Sequence, residues 1–134
     1  MRYLCIDLGD KRTGIAMGDD ETKLVSPIQV IVMPRGEAHL KFVLKTIDEQ
    51  RPSAIVLGLP LNMDGTEGPA AKSVRDFGEQ LATGTNLPIH FQDERLTSYA
   101  ADQRMAHTGL THKQKKELRD ALAAAEILRD FLHI

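Results

Sequence analysis

Residues 3–14 read Tyr-Leu-Cys-Ile-Asp-Leu-Gly-Asp-Lys-Arg-Thr-Gly, and no other stretch narrows the possible folds as much. Apart from Asp7, its first six residues are apolar and suited to a strand. A strand's period of two places Leu4, Ile6 and Leu8 on one face and Tyr3, Cys5 and Asp7 on the other. Gly9 and Gly14 bracket a polar turn, and the apolar run Ile15-Ala16-Met17 follows, so the two runs predict an antiparallel hairpin. Asp7 falls near the carboxyl end of the first strand, facing structure. Ionised and without partners it would cost several kcal/mol, about the penalty of an unpaired buried charge. It must be hydrogen-bonded, paired with a cation or bound to metal, unless it merely caps the turn.

Leu24 to Met33, rich in Val and Ile, reads as a third strand interrupted near Pro27. From Glu37 to Gln50 the period changes: Leu40, Val43, Leu44 and Ile47 recur at helical spacing, giving an amphipathic helix that ends before Pro52. Ser53 to Leu59 carries Ala54-Ile55-Val56-Leu57, the continuous run of a parallel strand covered on both faces. After a loop from Pro60 to Gly68, Pro69 suits the first position of a helix running to about Ala82, with Gly84 near its end. Pro88 to Gln92 makes another short strand. Thr97 or Ser98 can cap a helix that stops by Gly109, and Thr111 with Gln114 has the form of a capping box opening the last one. This order predicts an α/β fold: a five-stranded mixed sheet, with a three-strand antiparallel meander plus two parallel strands, flanked by helices. With no repeat or linker, residues 1–134 read as a single domain. Ligands of such sheets gather beyond the carboxyl ends of the parallel strands, here at Asp7, the Gly58 to Asp64 loop and Gln92 to Arg95.

Composition works mainly by exclusion. Hydrophobic residues make up 42% of the chain and charged residues 27%, an ordinary balance for a globular domain, and no apolar run is long enough to span a bilayer. The start lacks the long apolar stretch of a secretory signal, so a cytoplasmic location is expected. The single cysteine, Cys5, cannot form an internal disulfide and reads as a small core residue. A net charge of −2 rules out a uniformly basic nucleic-acid binder and leaves local clusters to decide. The five histidines show no H-E-x-x-H spacing, and neither a P-loop nor G-x-G-x-x-G is present, which removes zinc-protease, P-loop and Rossmann readings. Nothing in the sequence brings Ser98 and His107 together as nucleophile and base.

The acids carry more information. The fifth strand ends in Asp93-Glu94-Arg95, and one of the two acids can point back toward Asp7; as first-turn acids they could instead complement a helix dipole. Asp120 lies well inside the last helix and cannot be a capping acid. At about 100° per residue it shares a stripe with Ala124, Ile127 and Phe131, while Arg119, Glu126 and Asp130 occupy another face. A mid-helix carboxylate facing a core needs a cation, and an ion pair with Arg95 or Arg12 would be the plain structural answer. Alternatively Asp7, Asp93 or Glu94, and Asp120 converge. Three carboxylates would repel one another without a cation, and an all-oxygen set suits Mg²⁺ or Mn²⁺, with Asp7 as the bridging ligand, in phosphodiester hydrolysis. Lys113, Lys115, Lys116 and Arg119 crowd the start of the last helix, where anions rather than cations are favoured. Lys11, Arg12, Arg95 and Arg104 could extend this patch along a nucleic-acid backbone; otherwise it is a solvated lysine-rich face.

Four motifs, in order, are similar to those of a known family. They are Ile-Asp-Leu-Gly-Asp-Lys-Arg-Thr-Gly-Ile-Ala at 6–16, Val-Leu-Gly-Leu-Pro-Leu-Asn-Met-Asp-Gly-Thr-Glu-Gly at 56–68, Asp-Glu-Arg-Leu-Thr-Ser at 93–98 and Asp-Ala-Leu-Ala-Ala-Ala-Glu-Ile-Leu at 120–128. The chain resembles, over essentially its whole length, the YqgF/RuvX family of Holliday-junction-resolvase-like proteins, also described as pre-16S rRNA nucleases. The resemblance implies a ribonuclease H-like fold, a cytoplasmic location and a metal-dependent nuclease acting on structured or precursor nucleic acid. It assigns Asp7 as the first-strand catalytic acid, Glu94 as the second, with Asp93 as the close contender, and Asp120 as the acid of the terminal helix. Asn62 and Asp64, in the loop from Gly58 to Gly68, are expected on the substrate side.

Three functions remain open at this point. The first is hydrolysis of precursor rRNA, in preference to branched DNA, with Mg²⁺ or Mn²⁺. The second is an actin-like nucleotide-binding ATPase, suggested by the likeness of residues 7–14 to a phosphate-binding hairpin and opposed by a length that leaves room for one lobe. The third is a non-catalytic nucleic-acid-binding module. Paired cuts in a junction would need a homodimer, whereas trimming an RNA end needs only a monomer.

Overall fold

In the computed structural model, residues 1–95 and 111–134 are described. The opening hairpin forms as the sequence predicts. Strand β1 (Arg2–Leu8) pairs antiparallel with β2 (Arg12–Asp19), placing Asp7 opposite Gly14. Strand β3 (Val25–Val32) adds antiparallel to β2. It runs through Pro27 without a break, because β3 lies at the sheet edge, where a missing N–H costs no ladder bond. A bulge between Ile15 and Ala16 absorbs the extra residue.

Helix α1 (Glu37–Gln50) stops where Arg51 turns left-handed, at φ 52°, and its N–H bonds the Ile47 carbonyl, one residue before Pro52. Strand β4 (Ala54–Leu59) then enters parallel to β1, and all six of its residues are buried. Helix α2 (Pro69–Thr85) outlasts the expected end near Ala82, with Asn86 at φ 58° as its left-handed cap. Gly84 has a packing role instead: a Cβ there would sit 2.9 Å from Leu44 Cδ2, so its absence lets α1 and α2 approach. Strand β5 (Ile89–Asp93) pairs parallel with β4 and completes the sheet order β3-β2-β1-β4-β5. Helix α3 (His112–Leu132) opens on the expected capping box, with Thr111 Oγ1 accepting from the Gln114 N–H at 3.2 Å and Gln114 Oε1 accepting from the Thr111 N–H at 2.9 Å. The helix expected from Thr97 or Ser98, with Arg104 and His107, lies outside the described residues.

The two faces of the sheet fill differently. On one, Leu4, Ile6, Ile15, Ile55 and Leu57 meet Val43 and Ile47 of α1 and Val74, Phe77 and Leu81 of α2. On the other, Cys5, Ala16 and Val56 meet Ala124, Ala125, Ile127 and Leu128 of α3. Each fully buried Leu or Ile contributes about 1.5–3 kcal/mol, whereas the α3 face trades such bulk for a close approach of helix to sheet. Asp7 belongs to that second face.

Candidate active site

Asp7 ends the stretch of β1 that α3 covers, and Glu94 follows β5 directly. The Glu94 N–H bonds the Leu59 carbonyl at 3.2 Å, extending the β4–β5 ladder by one residue and fixing where its side chain starts. From there the carboxyl crosses β4 to reach Asp7, and Gly58 makes that path possible. A Cβ on Gly58 would stand 2.5 Å from Glu94 Oε2 and 2.7 Å from Ile127 Cδ1. The Asp7 and Glu94 carboxyls come within hydrogen-bond reach of each other, an approach that favours one shared proton over two charges. Burial, together with the charge of Asp7, pushes Glu94 up to about 8. Burial also raises Asp7, and the charge of Asp120 adds to the effect.

Asp120 is brought alongside by Gly14. A Cβ on Gly14 would overlap the Asp120 carbonyl, so α3 rests on the bare backbone of β2, at the residue paired with Asp7. The Asp120 side chain turns to Arg12, whose Nε donates to Oδ2 at 2.6 Å. Of the two structural partners the sequence allowed, the chain uses Arg12. Arg12 and Gly14 share a strand face, which aims the guanidinium at α3. The stripe shared with Asp120 behaves as expected, with Ala124 and Ile127 buried. Glu126, placed off that stripe, is also buried because β3 extends over that side of the helix. Arg129 Nη1 donates to it at 3.0 Å and Nη2 to the Val25 carbonyl at 3.2 Å.

Asp93, the contender to Glu94, faces elsewhere. Its carboxylate accepts from Arg95 Nε at 2.8 Å and from the Arg95 N–H at 2.9 Å, and these bonds hold it below the usual carboxylate range. Arg95 continues to the Met63 carbonyl at 3.1 Å, tying the β4–α2 loop to the end of β5. In that loop, Asn62 donates to Thr66 Oγ1 at 2.9 Å and Asp64 accepts from Thr66 Oγ1 at 2.6 Å. Both side chains shape the loop while staying exposed at the carboxyl end of the sheet. Lys11, at the hairpin turn, and Lys113, Lys116 and Arg119, on the first turns of α3, are exposed. The sequence reading missed His39, a fully buried side chain whose Nε2 lies 2.9 Å from Thr13 Oγ1 and whose Nδ1 has no hydrogen-bond partner among the described residues. Its spacing of four and eight residues from the buried Val43 and Ile47 is the signal that could have found it.

A hard divalent cation fits this arrangement chemically. The donors are all carboxylate oxygens, and Mg²⁺ commonly takes only one or two protein carboxylates, filling its shell with water and substrate phosphate. A cation between the Asp7 and Glu94 carboxyls would relieve the repulsion that their close approach creates. Among the described residues no three His, Cys, Asp or Glu side chains stand close enough together to hold an ion. Asp120, whose charge acts on Asp7, is held by Arg12.

The sequence pattern of the RuvX family, described as Holliday junction resolvase, matches residues 1–134. A protein of Anaeromyxobacter sp. named "Putative pre-16S rRNA nuclease" is 40% identical over 98% of this chain and 96% of its own length. A protein of the same name from Rhodobacter capsulatus is 41% identical over 95% of this chain and 80% of its own. Among solved structures, the fowlpox virus Holliday junction resolvase superposes with a TM-score of 0.65 at 12% identity, covering 99% of both chains. Thermus thermophilus RuvC in complex with Holliday junction substrate gives 0.60 at 16% identity, over 95% of this chain and 92% of that one. A ROK family protein from Streptococcus pneumoniae gives 0.54 at 21% identity, but this chain covers only 40% of it. At these identities the structural likeness speaks for the fold alone, which is ribonuclease H-like.

Proposed function

Because this chain belongs to the RuvX family, we propose that it is a metal-dependent nuclease that hydrolyses phosphodiester bonds at the 5′ end of pre-16S rRNA. The observation that carries the reading is the close approach of the Asp7 carboxyl, near the carboxyl end of β1, to that of Glu94, just past β5, with Asp120 beside them. The names of the relatives favour ribosomal RNA over branched DNA as substrate. An ATPase of the two-lobed kind would need a second lobe, and the ROK protein is more than twice the length that this chain matches.

Asp7 and Glu94 would hold the cation, with Asp120 as the further acid. A bound Mg²⁺ or Mn²⁺ supplies an activated water and stabilises the leaving oxygen. Asp7 would present its oxygens from β1 and Glu94 from the residue that follows β5. Gly58 keeps the Glu94 path open, and Gly14 fixes how near α3 stands. Lys11, Lys113, Lys116 and Arg119 attract the nucleic-acid backbone without reading bases, and Asn62 and Asp64 border the substrate at the β4–α2 loop. No helix among the described residues is long and apolar enough to cross a membrane, which accords with a cytoplasmic enzyme acting on ribosomal precursors. Trimming an RNA end is work for a monomer.

The test offers purified protein rRNA precursor and branched DNA side by side, with and without Mn²⁺, together with Asp7→Asn. The metal stabilises transition-state charge by several kcal/mol, so Asp7→Asn is expected to slow RNA cleavage about a hundredfold or more. Equal cutting by parent and variant would remove the assigned centre, and preferential cutting of the junction would replace the substrate.

A further inference from the structure

Arg12 takes part in the site in a way that neither phosphate binding nor simple structural pairing explains alone. Its Nε is spent on Asp120, the α3 acid whose charge acts on Asp7, yet both partners remain accessible, with 43% of the Arg12 side chain and 31% of that of Asp120 exposed. An ion pair so open to water is weak and easily exchanged. The remaining guanidinium donors have no partner among the described residues, and their planar fork matches a phosphate. Arg12 also opens β2 just after the turn, on the strand face shared with Gly14, the residue paired with Asp7.

Resting on the nuclease reading above, we propose that Arg12 is a positioning residue that holds Asp120 away from the Asp7–Glu94 pair until a substrate phosphate takes the guanidinium over. The free protein then presents two carboxylates to a cation, and the complex with nucleic acid presents three. Nucleic acid and divalent metal bind cooperatively as a result, and the coupling runs through one side chain. Thermodynamic reciprocity requires each ligand to tighten the other by the same factor.

Mn²⁺ binding to the full chain, followed by the paramagnetic resonance of the free ion, tests this with no turnover. Arg12→Gln is expected to tighten Mn²⁺ about tenfold, within the usual range of coupling between sites, because Asp120 is released. In an Asp120→Asn background the same substitution is expected to change nothing. A gain that survives in that background reports only the lost positive charge and overturns the proposal, as does Mn²⁺ affinity unchanged or weakened in Arg12→Gln alone. RNA binding in EDTA, read by fluorescence anisotropy, gives the other side of the cycle: Asp120→Asn should tighten it, and adding Arg12→Gln should abolish that gain. A gain retained in the double variant would also sink the proposal. Asp7→Asn separates the two levels. If it leaves Mn²⁺ binding intact, the nuclease centre itself is misplaced; if it abolishes binding while the Arg12 cycle fails, only the switch is lost.

Discussion

A carboxyl that hydrogen-bonds another carboxyl inside a protein carries a signature in pH. Glu94, pushed up to about 8 by burial and by Asp7, binds its proton more tightly in the native chain than in the unfolded one. Stability from that proton is fully present below the unfolded glutamate value of 4.5 and is lost as pH rises through about 8. The urea midpoint of metal-free protein is therefore expected to fall across that window, with a smaller fall in Glu94→Gln. On the proposed metal-dependent reading, Mg²⁺ should restore stability most at the alkaline end, where the pair has lost its proton. A midpoint that rises with pH equally in both proteins would remove the shared proton. Gly58→Ala probes the same contact sterically, because its Cβ intrudes on the tips of Glu94 and Ile127 rather than on backbone. Both tips can give way, so the expected outcome is a chain that folds normally but cleaves at least tenfold more slowly, seen by circular dichroism and a cleavage assay.

Between elements, the decisive contact is that of α3 with β2. Gly14→Ala meets the Asp120 backbone, which cannot rotate away, and overpacking of this kind costs about 3 kcal/mol, measurable by urea unfolding. On the opposite face, His39 of α1 and Thr13 of β2 form a buried polar pair. His39→Leu should cost about 1–3 kcal/mol by stranding the Thr13 hydroxyl, and Thr13→Val in the same chain should recover part of it. Burial, with Arg35 nearby, also lowers the His39 pKa. Its contribution is thus complete above the unfolded value of 6.5 and shrinks as pH falls below it, opposite in sign to that of Glu94. The elements were legible in the sequence because period and punctuation are local: the hairpin, the capping box at Thr111 and the buried run of β4 all appear as read. What escaped depends on tertiary approach. Gly58 reads as one more strand residue, although Glu94 passes over it, and which of Asp93 and Glu94 lies against Asp7 depends on which way a strand end faces. The end of α2 was misjudged because Gly84 resembles a cap while Asn86 is one.

Across the whole molecule, charge is divided rather than summed. A net charge of −2 coexists with exposed Lys113, Lys116 and Arg119 at the start of the helix that carries Asp120. Such contacts release counterions without reading sequence, so RNA affinity is expected to fall steeply with salt. Lys113→Gln and Lys116→Gln should each reduce the slope of log affinity against log salt by about one unit, and an unaltered slope would place the RNA elsewhere. The seating of α3 on Gly14 also has a consequence in time. Arg12 and Asp120 are 108 residues apart in the chain, and during synthesis at about 5–20 residues per second the opening hairpin emerges long before its partner helix. Asp7 must wait, unshielded and without its neighbouring acid, until translation has released nearly everything between them. On the proposed nuclease reading, a half-made copy lacks Asp120 and cannot yet cut RNA near the ribosome that is still producing it.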